Sequence, residues 1–168
     1  ITGGAGNIGS YILDKILEQN PKQCIVVDNL FNSDKSNSNL KNDLVKFYPL
    51  DISKLDEMEY IFKTYKPDYV FHCASMLIQD SEVLPRKSIN TNIMGTFNIV
   101  DLSNKYSVKK ICYSSSASVY GEPQYLPVDE NHPFQYKNFV YGWTKITAEM
   151  IFESNCEVDW LGFRYYNV

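Results

Sequence analysis

Apolar residues follow two alternating spacings along the chain. Short runs of consecutive apolar residues predict strands, and segments with apolar residues every three or four positions predict helices. The strand-type runs are Gln23–Asp28, Val45–Leu50, Tyr69–Cys73, Lys110–Ser114 and Trp160–Tyr165. The helix-type segments are Ile8–Gln19, Leu55–Tyr65, Ile89–Tyr106 and Val140–Ser154. This alternation is typical of an α/β fold, a doubly wound parallel sheet (Rossmann fold) with helices on both faces.

The remaining segments complete this prediction. Ile1 and Thr2 are expected to end a further strand that begins upstream of the sequence. The polar stretch 29–43 is expected to be a surface loop or a short irregular helix. The stretch 116–138, which contains three prolines, is expected to be a long loop. Long loops at the strand ends of such a sheet often line the functional site.

Composition indicates one globular domain, 1–168, because 44% of the 168 residues are apolar and 21% are charged. The net charge of −4 and the lack of a basic stripe argue against nucleic acid as a partner. No apolar run approaches the roughly 20 residues of a membrane helix, and no signal peptide is visible, so we expect a cytoplasmic protein with no membrane contact.

The cysteines are expected to be reduced, buried thiols. Three of the four lie in apolar runs, and none has CxxC spacing. The two histidines, His72 and His132, share no ligand spacing with them, so no metal site is predicted.

The glycines near the start of the chain carry the first chemical signal. Gly4, Gly6 and Gly9 match GxGxxG between a predicted strand and a predicted helix, which is the context that the motif requires. Glycine permits a tight turn and lets a diphosphate approach the backbone, where the helix N-terminus offers free N–H groups. The spacing alone is also compatible with an ordinary glycine turn.

A carboxylate strengthens that interpretation. Asp28 ends the next predicted strand, 19 positions after Gly9. There it can accept hydrogen bonds from the adenosine ribose hydroxyls and repel a 2′-phosphate. Because no Arg lies beside it, the pattern predicts NAD rather than NADP.

Tyr141 and Lys145 are four residues apart in a predicted helix and therefore share a face. A nearby ammonium favours ionisation of a phenol, so we expect Lys145 to lower the pKa of Tyr141 from its usual ~10 and make it a general base. In a chain with 13 tyrosines, such a pair also occurs by chance on a surface.

Ser114, Ser115 and Ser116 end a predicted strand, where open parallel sheets bind ligands, although serines there also form turns and caps.

Eight short segments, taken together, are far more specific than any one of the motifs above. TGGAGNIG, VVDNL, LDI, HCAS, NIMGT, SSSASVYG, YGWTK and RYYNV occur in this order over the whole chain. The sequence resembles the extended short-chain dehydrogenase/reductase family and, within it, the nucleotide-sugar epimerases and dehydratases.

The resemblance implies a set of site residues. Tyr141 is the implied catalytic base, Lys145 tunes it and holds the nicotinamide ribose, and Ser116 bonds the reacting sugar oxygen. Ser116, Tyr141 and Asn167 are the implied substrate contacts. The implied NAD contacts are Gly3, Gly6, Asn7, Ile8, Gly9, Asp28, Asn29, Asp51, Ile52, Cys73, Ala74, Ser75, Asn92, Ser114, Tyr141, Lys145 and Tyr165.

The resemblance also implies the reaction class. Such enzymes begin by moving a hydride from C4 of the sugar to NAD; an epimerase returns it to the other face, whereas a 4,6-dehydratase eliminates water with an extra acid and base. Similar dehydratases carry Asp-Glu where this chain has Ala117 and Ser118, and similar decarboxylases carry Glu at Ser118. A 4-epimerase is therefore favoured. A dehydratase, a reductase that releases its keto product and a non-enzymatic NAD-binding protein remain alternatives.

Some features bear on the sugar and on assembly. Similar hexose epimerases often have a Lys at the position where this chain has the run Met76-Leu77-Ile78. Val168 stands where many of them have Pro, and Trp143 is a bulkier neighbour of Tyr141 than is usual in them. The resemblance implies that the nucleotide-sugar pocket is built largely by a C-terminal region, which we expect to lie beyond the end of this sequence. It also implies a homodimer formed through helices matching 89–106 and 140–154. Within these helices the following residues could serve that interface or the core: Ile93, Phe97, Val100 and Ile151.

Overall fold

A computed structural model of the protein describes residues 1–33, 36, 38–135 and 139–168. The strands are β1 (Cys24–Val27), β2 (Val45–Tyr48), β3 (Tyr69–His72), β4 (Lys110–Ser116) and β5 (Asp159–Tyr165). The helices are α1 (Asn7–Leu17), α2 (Leu55–Tyr65), α3 (Ile78–Val83), α4 (Pro85–Ser88), α5 (Thr96–Lys105) and α6 (Val140–Asn155). Parts of the two predicted loops, residues 34, 35, 37 and 136–138, lie outside the described residues.

The strands are parallel, which confirms the predicted sheet. β1 pairs with β2, and β4 lies between β3 and β5. Thr2 makes parallel bridges to Val27 and His72, so the first residues of the chain lie between β1 and β3, as expected of a strand end. The resulting order, β2–β1–Thr2–β3–β4–β5, brings the carboxyl ends of all strands to one edge.

Both faces of the sheet are covered. Val26 packs with Leu13 of α1, whereas the next residue, Val27, belongs to the cluster formed by α2, α5 and α6. Consecutive residues of a strand point to opposite faces, so the uninterrupted apolar run of β1 reflects two buried sides. Among the described helices, none has the length and apolar character needed to cross a membrane.

Two of the four residues considered for the interface or the core belong to the core or pack against it. Val100 is 1% exposed and lies within the core, and Ile151 packs against it. Phe97, by contrast, is 39% exposed. Within α6, Phe152 stacks on Tyr113 with ring centroids 4.8 Å apart, which packs this helix against β4.

The structure differs from the predicted helix over Ile89–Tyr106. A π-helical stretch, Ile89–Gly95, precedes α5. The hydroxyl of Thr96, the first residue of α5, donates to the carbonyl of Asn92 within this stretch at 2.7 Å. Two short helices, α3 and α4, were not predicted, because six and four residues show too little periodicity. Pro85 begins the second of them at a position where its missing N–H costs nothing. The predicted loop from residue 116 starts with a 3-10 turn, Ala117–Tyr120.

His72 is a fully buried histidine between the first strand residue and α5. Its Nδ1 lies 2.7 Å from Thr2 Oγ1, and its Nε2 lies 2.9 Å from Thr96 Oγ1. Because Thr96 donates its own proton to Asn92, it must accept from His72 Nε2–H, which leaves Nδ1 to accept from Thr2. Burial, followed by the charge of Lys145, lowers the pKa of His72 to about 3, so the ring is neutral.

Acidification should therefore destabilise the protein through His72. The unfolded state takes up a proton near pH 6.5 and the folded state only near 3, so stability is lost as pH falls between these values. We expect up to about 1.4 kcal/mol per pH unit from this residue. Urea unfolding of the wild type and of His72→Gln at pH 7.5 and 5.0 measures it. The variant should show the smaller pH dependence, and equal dependences would contradict the assignment.

Candidate functional site

The glycine loop meets the start of α1 and the end of β3 at very short range. Gly3 has φ +66°, and a Cβ there would lie 2.6 Å from the Ala74 backbone nitrogen. A Cβ on Gly9 would lie 2.2 Å from the Gly3 carbonyl oxygen. At Gly6, in contrast, the nearest atom would be 3.4 Å away, and the residue opens on a cleft. Gly3 and Gly9 are thus needed for packing, and Gly6 leaves room for a ligand.

Asp28 fixes this loop to the end of β1. Its carboxylate accepts hydrogen bonds from Ala5 N at 3.0 Å, Leu30 N at 2.8 Å and Ser33 Oγ at 2.9 Å. The side chain of Asn29 donates to Asp51 Oδ2 at 3.3 Å. The acid predicted to contact a ribose is therefore also a structural link within the loop.

Asp51 is ionised more readily than usual. Partial burial opposes its charge, but hydrogen bonds from Ser53 and Asn29 outweigh this effect and hold the pKa of the carboxyl below its ordinary value. Asp51 thereby also links β1 to the segment that precedes α2.

Two clefts lie along the carboxyl edge of the sheet. The long cleft, of about 560 Å³, runs from the glycine loop to the start of α6 and the end of β5. Predicted site residues in its wall are Gly3, Gly6, Asn7, Ile8, Gly9, Cys73, Ser75, Ser114, Ser116, Tyr141, Lys145 and Tyr165. The side cleft, of about 110 Å³, adjoins it beyond β1. Its wall contains the predicted residues Gly3, Asp28, Asn29, Ile52, Cys73, Ala74 and Ser75.

Three predicted site residues, all described, line neither cleft: Asp51, Asn92 and Asn167. Asn92 is 2% exposed, and its amide bonds Met76 N, Thr144 Oγ1 and Ser75 Oγ at 2.8–3.2 Å. It therefore ties the end of β3 to α6. Asn167 is exposed, while the flanking Tyr166 and Val168 line the long cleft.

The sequence analysis assigned no site residue to one wall of the long cleft. Leu77, Ile78, Gln79 and Asp80 form it at the start of α3. Asn32 lies opposite and donates to Asp80 Oδ2 at 2.5 Å. Their position directly after the end of a parallel strand was the available signal, but α3 was too short to be predicted.

Tyr141 and Lys145 face the end of β4 from the first turns of α6. Tyr141 is 9% exposed and hydrogen-bonds the Ser116 side chain. Lys145 is 3% exposed, and its Nζ donates to the Ser114 carbonyl at 2.9 Å. Burial lowers the pKa of Lys145 to about 8, against the opposing influences of Cys73 and Glu149.

The expected lowering of the pKa of Tyr141 does not occur in the protein by itself. Burial raises the pKa of this phenol, and the hydrogen bond from Ser116 opposes that rise only in part. Lys145 Nζ lies 5.6 Å from the Tyr141 ring centroid but is turned towards the Ser114 carbonyl. The phenol is therefore protonated at neutral pH until a further positive charge enters the cleft.

Cys73 lies in both clefts and accepts a hydrogen bond from Ser114 Oγ at 3.3 Å. Burial raises the pKa of its thiol, which keeps it protonated. All four cysteines are free. Within the described part of the chain, no three His, Cys, Asp or Glu side chains group closely enough to hold a metal ion.

Comparison with known proteins gives a consistent family. A sequence model of the NAD dependent epimerase/dehydratase family matches residues 1–168. The chain is 36% identical to UDP-glucose 4-epimerase of Dictyostelium discoideum and 33% identical to that of Bacillus subtilis, over 99% of its own length in each case. It covers 51% of both proteins, so it spans about half the length of these curated relatives.

Solved structures agree with these relatives. UDP-glucose 4-epimerase of Thermotoga maritima, solved with UDP-glucose, is 34% identical with a TM-score of 0.87, and the match covers 98% of this chain and 53% of that one. The Thermus thermophilus enzyme, solved with NAD, is 27% identical with a TM-score of 0.86, over 98% of this chain and 53% of that one.

Gly9→Ala tests the packing of the glycine loop. The added methyl group would overlap the Gly3 carbonyl, so the loop or α1 must shift, and we expect the free energy of unfolding to fall by about 1–3 kcal/mol. Gly6→Ala is the matched control, since it has room for a Cβ and should change stability by less than about 0.5 kcal/mol. Urea unfolding measures both variants. Equal losses would show that the close approach at Gly9 is unimportant.

Proposed function

The chain belongs to the NAD dependent epimerase/dehydratase family, and on that premise we propose that residues 1–168 form the NAD-binding domain of a nucleotide-sugar 4-epimerase of UDP-hexose type. One observation carries the proposal: a single cleft joins the glycine loop to Tyr141, Lys145 and Ser116. A dinucleotide with its diphosphate at the loop would extend towards the phenol. The relatives named UDP-glucose 4-epimerase support the substrate class.

The residues present suit NAD. Gly6 leaves open space where a side chain would fill the cleft, and α1 begins there without a side-chain cap, so its first N–H groups are available to a diphosphate. Asp28 lines the side cleft, where its negative charge disfavours a 2′-phosphate. The side cleft therefore suits the adenosine half, and the part of the long cleft near Lys145 suits the nicotinamide half.

The proposed chemistry assigns a task to each polar group. When bound, NAD would accept a hydride from the sugar and later return it. Ser116 holds the sugar oxygen. The phenolic oxygen of Tyr141, ionised once an oxidised cofactor adds its positive charge to that of Lys145, takes the hydroxyl proton and gives it back. Lys145 remains a cation below its pKa of about 8 and favours the ionised phenol by its charge.

An epimerase suits the site better than a 4,6-dehydratase. The 3-10 turn after Ser116 begins with Ala117 and Ser118, and neither side chain transfers a proton at neutral pH. Elimination of water needs an additional acid and base, whereas epimerisation needs only one group that takes and returns the same proton.

The remainder of the proposal concerns the complete protein. Because the chain spans about half of its curated relatives, we infer that a C-terminal region completes the pocket for the nucleotide-sugar. The predicted homodimer would use the exposed side of α5, where Phe97 lies.

Tyr141→Phe in the complete protein tests the proposed base. Without the phenolic oxygen the proton has no acceptor, so we expect kcat to fall by about 10²–10⁴-fold while NAD binding is retained. NMR of the C4 configuration over a panel of UDP-sugars measures conversion, and fluorescence titration measures NAD binding. Tyr106→Phe is the matched control, because that hydroxyl bonds Glu59 outside both clefts.

Other outcomes would identify the alternatives. Unchanged conversion by Tyr141→Phe would remove Tyr141 from its role. Dehydrated products would indicate a dehydratase, net consumption of added NAD a reductase, and no reduction of bound cofactor by any nucleotide-sugar a non-enzymatic protein.

A further inference from the structure

A largely buried ion pair lies next to the proposed catalytic side chains. Glu149 of α6 is 3% exposed, and Arg164 of β5 donates to it from Nη2 at 2.7 Å and from Nε at 3.1 and 3.2 Å. Arg164 also donates to Tyr120 OH at 2.9 Å and to the Glu130 carbonyl at 3.2 Å. The pair thus connects α6, β5 and the segment that follows β4.

Ser115 connects this pair to the site. Its hydroxyl donates to Glu149 Oε1 in a short hydrogen bond, and it lies opposite Arg164 in the register of β4 and β5. Its two neighbours are the residues that contact the catalytic pair: Ser114 accepts from Lys145, and Ser116 bonds Tyr141. Three consecutive residues of β4 are therefore each joined to α6.

The spacing of three side chains along α6 links the contact between Glu149 and Ser115 to the positions of Tyr141 and Lys145. Tyr141, Lys145 and Glu149 are four residues apart, so they lie one above the other on one face of the helix. A shift of the helix along the strand would break all three contacts together. Glu149 is the member whose position is fixed from two strands, by Ser115 of β4 and Arg164 of β5.

Stability alone gives a poor account of this pair. Removing both charges from water offsets much of their attraction, and well-packed apolar residues often stabilise such a place equally well. The directional bonds of a carboxylate, however, fix geometry in a way that apolar contacts do not.

We propose that Glu149 is a positioning residue, which, by bonding Ser115 and Arg164 together, sets the register of α6 on β4 and so holds Tyr141 and Lys145 at their working distances. The inference rests on the proposed function of Tyr141 and Lys145. It adds Ser115 and Arg164 as the partners through which Glu149 acts.

Ser115→Ala in the complete, NAD-bound protein is the main test, because it removes the bond to Glu149 and leaves the ion pair intact. We expect kcat to fall by about 10–100-fold, since small displacements of reacting groups are costly. KM for the UDP-sugar and the Kd for NAD should change less than about twofold. Ser115→Thr keeps the hydroxyl and should recover most of the lost kcat, which a purely structural role would not require.

Two controls separate positioning from general destabilisation. Ser103→Ala removes another buried hydroxyl, one with no hydrogen-bond partner among the described residues, and Glu59→Gln breaks an ion pair with Lys105 between α2 and α5. Both should leave kcat unchanged. Glu149→Gln should lower kcat more than either control, because it leaves the Arg164 guanidinium facing an amide. An unchanged kcat in Ser115→Ala, or a loss confined to KM, would overturn the inference.

Hydrogen–deuterium exchange gives a readout that needs no turnover. In Ser115→Ala, the amides of residues 140–147 should exchange faster than in the wild type, while those of α2 and α5 remain unchanged. Unchanged exchange in α6 would contradict the inference even if no UDP-sugar is converted. Failure of the proposed function would instead be seen in the wild type, as a lack of conversion.

Discussion

The hydrogen bond from Lys145 to the Ser114 carbonyl is the interaction on which the geometry of the site depends. It places a buried ammonium at the carboxyl edge of the sheet, where β4 stops and the long cleft begins. Burial of this charge is unfavourable, which the lowered pKa of Lys145 records. The fold tolerates this cost because the carbonyl and the nearby Glu149 compensate part of it. The start of α6 therefore cannot move freely relative to the strand that carries Ser116.

The opposite end of the cleft is constrained by shape rather than by charge. Gly3 and Gly9 bring the loop, β3 and α1 closer together than any side chain would permit. Asp28 then fixes the loop by accepting the Ala5 amide. Hydrogen bonds between uncharged groups join the two ends through the core. They run from Thr2 through His72 and Thr96 to the Asn92 carbonyl. The Asn92 amide then bonds Thr144 of α6. This network ties the glycine loop to the helix that carries the phenol.

The sequence predicted the parts of the molecule that follow from local patterns. The parallel strands, helices α1, α2 and α6 and the GxGxxG turn all come from periodicity or from the steric needs of glycine, which a single sequence displays. It did not predict α3, since a six-residue helix has too few turns to show a period. Nor did it predict that burial would raise the pKa of Tyr141, because burial depends on residues distant in the chain. The sequence also did not predict that the Asn92 amide would be fully hydrogen-bonded within the protein, since its partners are 16 and 52 positions away along the chain.

The π-helical stretch Ile89–Gly95 accommodates one more residue than an α-helix of the same rise. Deletion of a single residue there would return the backbone to ordinary α-helical winding and leave the helices on either side in place. Only the side chains between them would rotate, by about 100°. Thr91 lines the side cleft and the neighbouring Asn92 does not, so this deletion would change which of the two polar side chains faces that cleft.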